Sequence, residues 1–87
     1  MKKLKESFKS TGIRNFRVEV EHSFPWVSIH LEELNCEEMV RVSDWIKVTF
    51  YESERFAHLL PKLCKRNGSL CLVIDLKQCE KIFGKMR

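Results

Sequence analysis

The sequence predicts an α+β fold in which a mostly antiparallel sheet carries its helices as a single layer on one face. Two observations predict this class. Several short runs in the first half of the chain alternate between apolar and polar residues, which is the period of half-buried strands. After residue 53 the apolar spacing changes to three and four residues, which is typical of an amphipathic helix. The predicted order is α-β-β-β-β-α-β-α.

Composition indicates one folded domain spanning residues 1–87. The chain is 44% hydrophobic and 32% charged, with three glycines and two prolines, and these values exclude a disordered tail and a low-complexity linker. A chain of this length buries only about 60% of the surface of its unfolded form, so the core must be continuous.

A short basic helix is predicted within residues 1–12, where Leu4 and Phe8 lie four positions apart and Gly12 would end it. A β-meander is predicted over residues 13–51. Its first two strands follow from the alternation that starts at Ile13 and resumes at Trp26.

The third and fourth strands of this meander are predicted on either side of Ser43-Asp44. Residues 38–42 are expected to form a short strand, and residues 45–51 a longer one. In the longer strand, Ile46, Val48 and Phe50 would point inward. The remaining alternate residues, including Trp45, would then point outward.

The C-terminal third is predicted to hold two helices and one strand. An amphipathic helix is expected at residues 53–67, with a kink at Pro61. The unbroken apolar run within residues 69–75 predicts a strand buried on both faces. A final helix is expected at residues 76–84, capped by Asp75.

Charge is distributed unevenly along the chain. The formal net charge is +4, a value that favours a polyanionic partner. Residues 1–17 carry six basic residues against one acid, residues 18–54 carry nine acids against two basic residues, and residues 55–87 carry eight basic residues against two acids. The acidic third coincides with the predicted meander, so its surface favours a protein partner over nucleic acid.

The outward positions of the meander are the candidate binding surface, because aromatic side chains dominate interface energetics. They comprise Arg17, Trp26, His30, Trp45, Lys47 and Tyr51. A second candidate is an acidic turn around Asn35, formed by Glu32, Glu33, Glu37 and Glu38. We expect a non-enzymatic adaptor or inhibitor that docks on a protein partner, for example in a nucleic-acid-handling complex, or that forms a homodimer.

Two alternatives stay open at this point. The same aromatic face could bind single-stranded DNA or RNA, since rings stack on bases while cations hold phosphates. The phosphate contacts would then include Lys62, Lys65, Arg66, Lys77 and Lys81. A small enzyme that uses Cys36 with a histidine is the weaker alternative, because Glu37 and Glu38 disfavour a thiolate.

The remaining expectations concern cofactors and compartment. The sequence has no C-x-x-C pair, no glycine-rich phosphate loop and no long apolar run, so we expect no metal, no cofactor and no membrane contact. The N-terminus lacks the apolar stretch of a signal peptide, which predicts an intracellular protein, cytoplasmic or nuclear, with its four cysteines reduced.

Overall fold

The computed structural model describes residues 2–21, 25–50, 61–66 and 69–86. Within these ranges the elements follow the order α-β-β-α-β-β-α. They are α1 (Lys2–Phe8), a 3₁₀ turn (Lys9–Thr11), β1 (Phe16–Val20), β2 (Trp26–Leu31), α2 (Cys36–Thr49), β3 (Lys62–Arg66), β4 (Ser69–Asp75) and α3 (Leu76–Phe83).

The four strands form one antiparallel sheet in the order β1-β2-β4-β3. Its register sets Val18 opposite Ile29, Ile29 opposite Leu72, and Leu72 opposite Leu63. Because directly opposed residues project to the same face, this row forms one apolar band across all four strands. The predicted α+β class, with a mostly antiparallel sheet, is confirmed.

The apolar band and the helices share one hydrophobic cluster. From the helices it contains Leu4, Phe8, Val42, Trp45 and Cys79, and from the sheet Val18, Val27, Ile29, Leu31, Leu72 and Ile74. Burying one such side chain stabilises the fold by about 1.5–3 kcal/mol. The cluster therefore places α1, α2 and α3 on one side of the sheet, as the sequence predicts.

The prediction of two strands between residues 38 and 51 is wrong, because residues 36–49 form α2. The Asn35 side chain accepts a hydrogen bond from Glu38 N at 2.8 Å, and Glu38 Oε1 accepts one from Asn35 N at 3.0 Å. This reciprocal pair is a capping box, which starts a helix. Val42, Trp45 and Ile46 then follow at helical spacing, so the alternation after residue 45 was coincidental.

The predicted helix over residues 53–67 is wrong in its last turn. Residues 62–66 form β3, in which Cys64 lies opposite Cys71 of β4. Leu63 and Cys64 therefore point to opposite faces of the sheet, with Leu63 in the apolar band. Residues 53–60 and residue 67 of that expected helix lie outside the described residues.

The remaining predicted elements are present in the described ranges.

Two glycines mark the ends of helical segments. Gly12 follows the 3₁₀ turn with a φ of 84° and donates to Lys9 O at 3.0 Å. Gly84 follows α3 with a φ of 85° and donates to Glu80 O at 2.8 Å. Both dihedrals lie in the region that glycine adopts without strain.

Candidate functional site

The face of the sheet opposite α1, α2 and α3, hereafter the distal face, carries several predicted site residues. Strand register places Arg17, His30, Cys71 and Cys64 in one row across the sheet. The neighbouring row consists of Glu19, Ser28, Val73 and Lys62. Trp26 lies opposite Asp75 at one end of β2. The expected grouping of Arg17, Trp26 and His30 on one face is therefore present.

The distal face is buried at its centre and charged at its margins. Ser28 is 0% exposed and Cys71 is 1% exposed, whereas Arg17, Glu19 and Lys62 are exposed. Glu19 Oε2 lies 3.7 Å from Arg17 and 3.1 Å from His30 Nε2. The Glu19 carboxylate therefore offsets the nearest cation and would repel a phosphate.

Glu19, Ser28 and His30 bring together the residue types of a nucleophilic triad, but their geometry does not form one. Ser28 Oγ is buried and has no hydrogen-bond partner among the described residues. His30 Nε2 is adjacent to Glu19. A serine nucleophile needs a hydrogen bond to its base and access to substrate, and Ser28 has neither.

Trp45 does not lie on the distal face, contrary to the expectation from sequence. It is 6% exposed within the hydrophobic cluster, and its ring centroid lies 5.1 Å from that of Phe8 and 5.6 Å from that of Phe50. Its Nε1 donates a hydrogen bond to Ser7 Oγ at 3.0 Å. Since α2 is a helix rather than a strand, Trp45 turns inward and its predicted role as a surface anchor is wrong.

Other residues predicted with Trp45 are dispersed. Lys47 is exposed on α2, on the opposite side of the sheet from Trp26. Tyr51 lies outside the described residues. Among the described residues, the aromatic part of the predicted surface therefore consists of Trp26, which is half-buried, with His30 four positions further along the same face of β2.

The predicted phosphate contacts do not share one surface. Lys62 belongs to the distal face, whereas Lys65 is opposite Leu70 and projects to the side of the helices. Lys77 and Lys81 are exposed on α3, and Arg66 is the last residue of β3. A single phosphate backbone could not follow all of these positions along one face.

The predicted acidic turn is divided between two roles. Glu38 completes the capping box of α2, and Glu37 forms an ion pair with Arg41 one helical turn later. Glu32 and Glu33 are exposed in the connection between β2 and α2, and neither forms an ion pair with another described residue. Two carboxylates of the four are therefore available to a partner.

Glu32 and Glu33 border a groove with a volume of about 610 Å³. This acidic groove has an apolar floor consisting of Leu31, Leu34, Met39 and Leu70, and Lys65 and Ser69 complete its rim. Met39 is 43% exposed, although it is a large apolar side chain. A second groove of about 270 Å³ is lined by the same two glutamates together with Arg14.

Sequence reasoning missed the floor of the acidic groove. Leu34, an apolar residue within an acidic connection, was the available signal. Met39 could not be recognised, because it counts as a groove residue only once residues 36–49 are known to be helical. Lys65 was expected as a phosphate contact and instead faces the acidic rim across the groove.

Cys36 is not close to His30, the one histidine among the described residues, and His22 and His58 lie outside them. Cys36 is exposed at the first position of α2, on the helix side of the sheet, while His30 projects to the distal face. Across the described ranges, no group of three or more His, Cys, Asp or Glu residues could hold a metal ion. No helix in those ranges has the length and apolar character needed to cross a membrane.

Comparisons with protein-family models, with curated proteins and with solved structures found no match to this chain.

Proposed function

We propose that this domain is a non-enzymatic docking module that binds a basic segment of a protein partner in the acidic groove. The observation that supports this proposal is that two exposed carboxylates, Glu32 and Glu33, lie next to an apolar floor and form no ion pair within the described ranges. A segment with lysine or arginine next to an aliphatic residue satisfies both features at once.

The dimensions of the groove suit one or two side chains. Its volume of about 610 Å³ falls in the range of sites that enclose small ligands. A partner's aliphatic side chain would cover Met39 and Leu34, while its cation would lie over the carboxylates. Such a contact is small, so we expect a transient complex with a dissociation constant in the micromolar range.

Lys65 would determine the orientation in which a charged segment binds in the groove. It lies on the rim of the same groove and has no ion pair among the described residues. A partner segment would place its cation toward Glu32 and Glu33, and an acidic group toward Lys65. This polarity favours an extended dipolar peptide over a uniformly basic one.

Single-stranded nucleic acid on the distal face is a second candidate, favoured by one observation. Residues 61–74, which include β3 and most of β4, contain no acidic residue, and Lys62 of this segment lies on the distal face. Lys62 would contact phosphate and Trp26 would stack on a base. Glu19 on the same face opposes this binding, so we rank it second.

Fluorescence anisotropy with labelled peptides tests the first proposal. The probe is a short peptide with a lysine, a leucine and an aspartate in that order, and its control replaces the lysine with glutamate. We expect Glu32→Gln combined with Glu33→Gln to weaken binding by about tenfold, since rim charge pairs contribute up to about 1 kcal/mol each. Glu37→Gln is the matched control, because that carboxylate is already paired with Arg41.

The outcomes separate the two candidates. Unchanged peptide binding in the double variant, or equal binding of the control peptide, rejects the groove. In a Trp45→Phe background Trp26 is the only tryptophan. Quenching of its fluorescence by an oligothymidylate, lost at high salt and in Lys62→Ala, would support the nucleic-acid candidate instead.

A further inference from the structure

Two cysteines lie directly opposite each other on adjacent strands. Cys64 of β3 pairs in register with Cys71 of β4, and both belong to the same row of the distal face. The thiol of Cys64 lies over its neighbour's backbone, with Sγ 3.5 Å from Cys71 O. Neither residue is in a disulfide.

The strand register already satisfies the backbone requirement of a disulfide. Directly opposed residues of antiparallel strands have Cα atoms about 4.5–5.5 Å apart. A disulfide requires about 4.4–6.8 Å between the same atoms. Rotation of the Cys64 side chain from the backbone oxygen toward the facing sulfur would therefore suffice, with no displacement of β3 or β4.

Strand register and accessibility together select this pair, because exposed Cys36 has no cysteine opposite it in the sheet and Cys79 is buried. Cys64 is half-buried on an edge strand, so a small molecule can reach it, and Cys71 is buried directly beside it. Cys36 is on the helix side of the sheet. Cys79 is enclosed in the core, where its Sγ lies 3.7 Å from Met86 Sδ and burial raises the pKa of its thiol to about 12.

We propose that Cys64 and Cys71 form a redox modification site, which a low-molecular-weight disulfide such as glutathione disulfide converts to an intramolecular cross-strand disulfide. The Cys64 thiolate attacks one sulfur of glutathione disulfide, and the S–S bond breaks to release one glutathione thiolate. The Cys71 thiolate then attacks Cys64 Sγ and displaces the second glutathione. The two protein thiols lose two electrons, which reduce one glutathione disulfide, and their two protons pass to the two released glutathiones.

The neighbouring charges suit this reagent. Lys62 is exposed on the same face of β3, two positions from Cys64. Glutathione disulfide carries net negative charge, so Lys62 would raise its local concentration. The product would tie the edge strand β3 to the central strand β4, which restricts opening of that edge.

The test equilibrates the full chain with glutathione buffers of increasing oxidised fraction, in a Cys36→Ser background that removes the exposed thiol. After acid quenching and alkylation, mass spectrometry should show the loss of two hydrogens. Trypsin should then release residues 63–65 joined to residues 67–77. Cys64→Ser and Cys71→Ser should each abolish this linked pair, and amide exchange in β3 should slow by at least about tenfold on oxidation.

A urea-unfolded sample of the same Cys36→Ser protein provides a comparison that needs no substitution of Cys64 or Cys71. The equilibrium constant for disulfide formation should fall by at least about tenfold when the native register is lost. An equal constant in both states overturns the proposal. So does a Cys64–glutathione adduct that persists without cross-linking, or linkage to Cys79 in place of Cys71.

Discussion

Trp45 Nε1 donates a hydrogen bond to Ser7 Oγ across 3.0 Å, which joins α2 to α1 inside the helical layer. The Trp45 ring also packs edge-on against Phe8 of α1 and against Phe50 just after α2. Trp45 is therefore a residue of the core that connects two helices, and its contribution should appear in stability rather than in binding.

We expect Trp45→Ala to destabilise the fold by about 3–5 kcal/mol, because it leaves a large cavity among aromatic rings. The hydrogen bond is isolated by Trp45→Phe and Ser7→Ala, alone and combined, in urea denaturation. Their coupling free energy should be about 1 kcal/mol. Unchanged stability of the Trp45→Ala protein would contradict the placement of Trp45 in the hydrophobic core.

The capping box at Asn35 predicts a second stability effect. Asn35→Ala removes the acceptor for Glu38 N, so the free energy of unfolding should fall by about 1 kcal/mol. Asn35→Ser keeps an acceptor in place and should recover most of this loss. If residue 35 were an exposed hairpin turn, as the sequence suggested, both substitutions would change stability by less than about 0.5 kcal/mol.

The two glycines should respond differently to asparagine. Gly12 has a φ of 84° and a ψ of −5°, close to the left-handed region that asparagine tolerates, whereas Gly84 combines a φ of 85° with a ψ of −172°, a region populated only by glycine.

Alanine at either glycine should reduce the free energy of unfolding by about 1–3 kcal/mol. At position 12 the new Cβ would also lie 3.3 Å from Arg41 Nη1, while at position 84 it meets no atom within 4 Å. Asparagine should be milder than alanine only at position 12. Equal effects of asparagine at both positions, measured by thermal unfolding, would contradict the dihedral argument.

Ser28 should tolerate loss of its hydroxyl. Its Oγ is buried without a hydrogen-bond partner among the described residues, so the folded state leaves that polar atom desolvated. Ser28→Ala should therefore be neutral or stabilising, by up to about 1 kcal/mol, in urea denaturation. Destabilisation by more than about 1 kcal/mol would reveal a hydrogen bond that the described contacts do not contain.

The buried thiol of Cys79 should make the protein less stable at alkaline pH. Burial raises the pKa of its thiol from 9.0 to about 12, so the folded state holds the proton after the unfolded state has released it. The stabilising contribution is complete below pH 9.0 and declines between pH 9.0 and about 12. In that range the free energy of unfolding should fall with a slope that approaches about 1.4 kcal/mol per pH unit.

Cys79→Ala is the matched control for this pH dependence. Other groups also titrate in this range, so the informative quantity is the difference between the unfolding free energies of the two proteins. That difference should shrink between about pH 8 and pH 10.5 as the unfolded thiol ionises. Parallel pH profiles for both proteins would exclude Cys79 as the source.

The sequence predicted those elements whose local pattern agreed with their packing. β1, β2 and β4 have alternating or continuous apolar residues, and both patterns match their positions in the sheet. The acidic groove could not be predicted in full, because its floor combines residues from β2, β4 and α2 that are distant in the chain.

α2 shows how two patterns can coexist in one segment. Residues 45–51 alternate as a strand would, yet Val42, Trp45 and Ile46 also fit a helical stripe. The capping box at Asn35 decides between them, since it satisfies backbone groups only at the start of a helix. Because this segment is a helix, Trp45 lies in the core rather than at the surface. For the same reason Asn35 begins a helix where an acidic turn was expected.

The strand order β1-β2-β4-β3 has a consequence for how the chain reaches this structure. β1 with β2, and β3 with β4, are antiparallel pairs of consecutive strands, whereas the central ladder sets Leu31 opposite Leu70, with residues 32–69 between them in the chain. Closing that long loop carries the largest entropic penalty of the three ladders. The sheet therefore consists of two hairpins that are local in sequence. We expect the β2–β4 ladder to form after them, so that the shared core and the acidic groove at its margin form last.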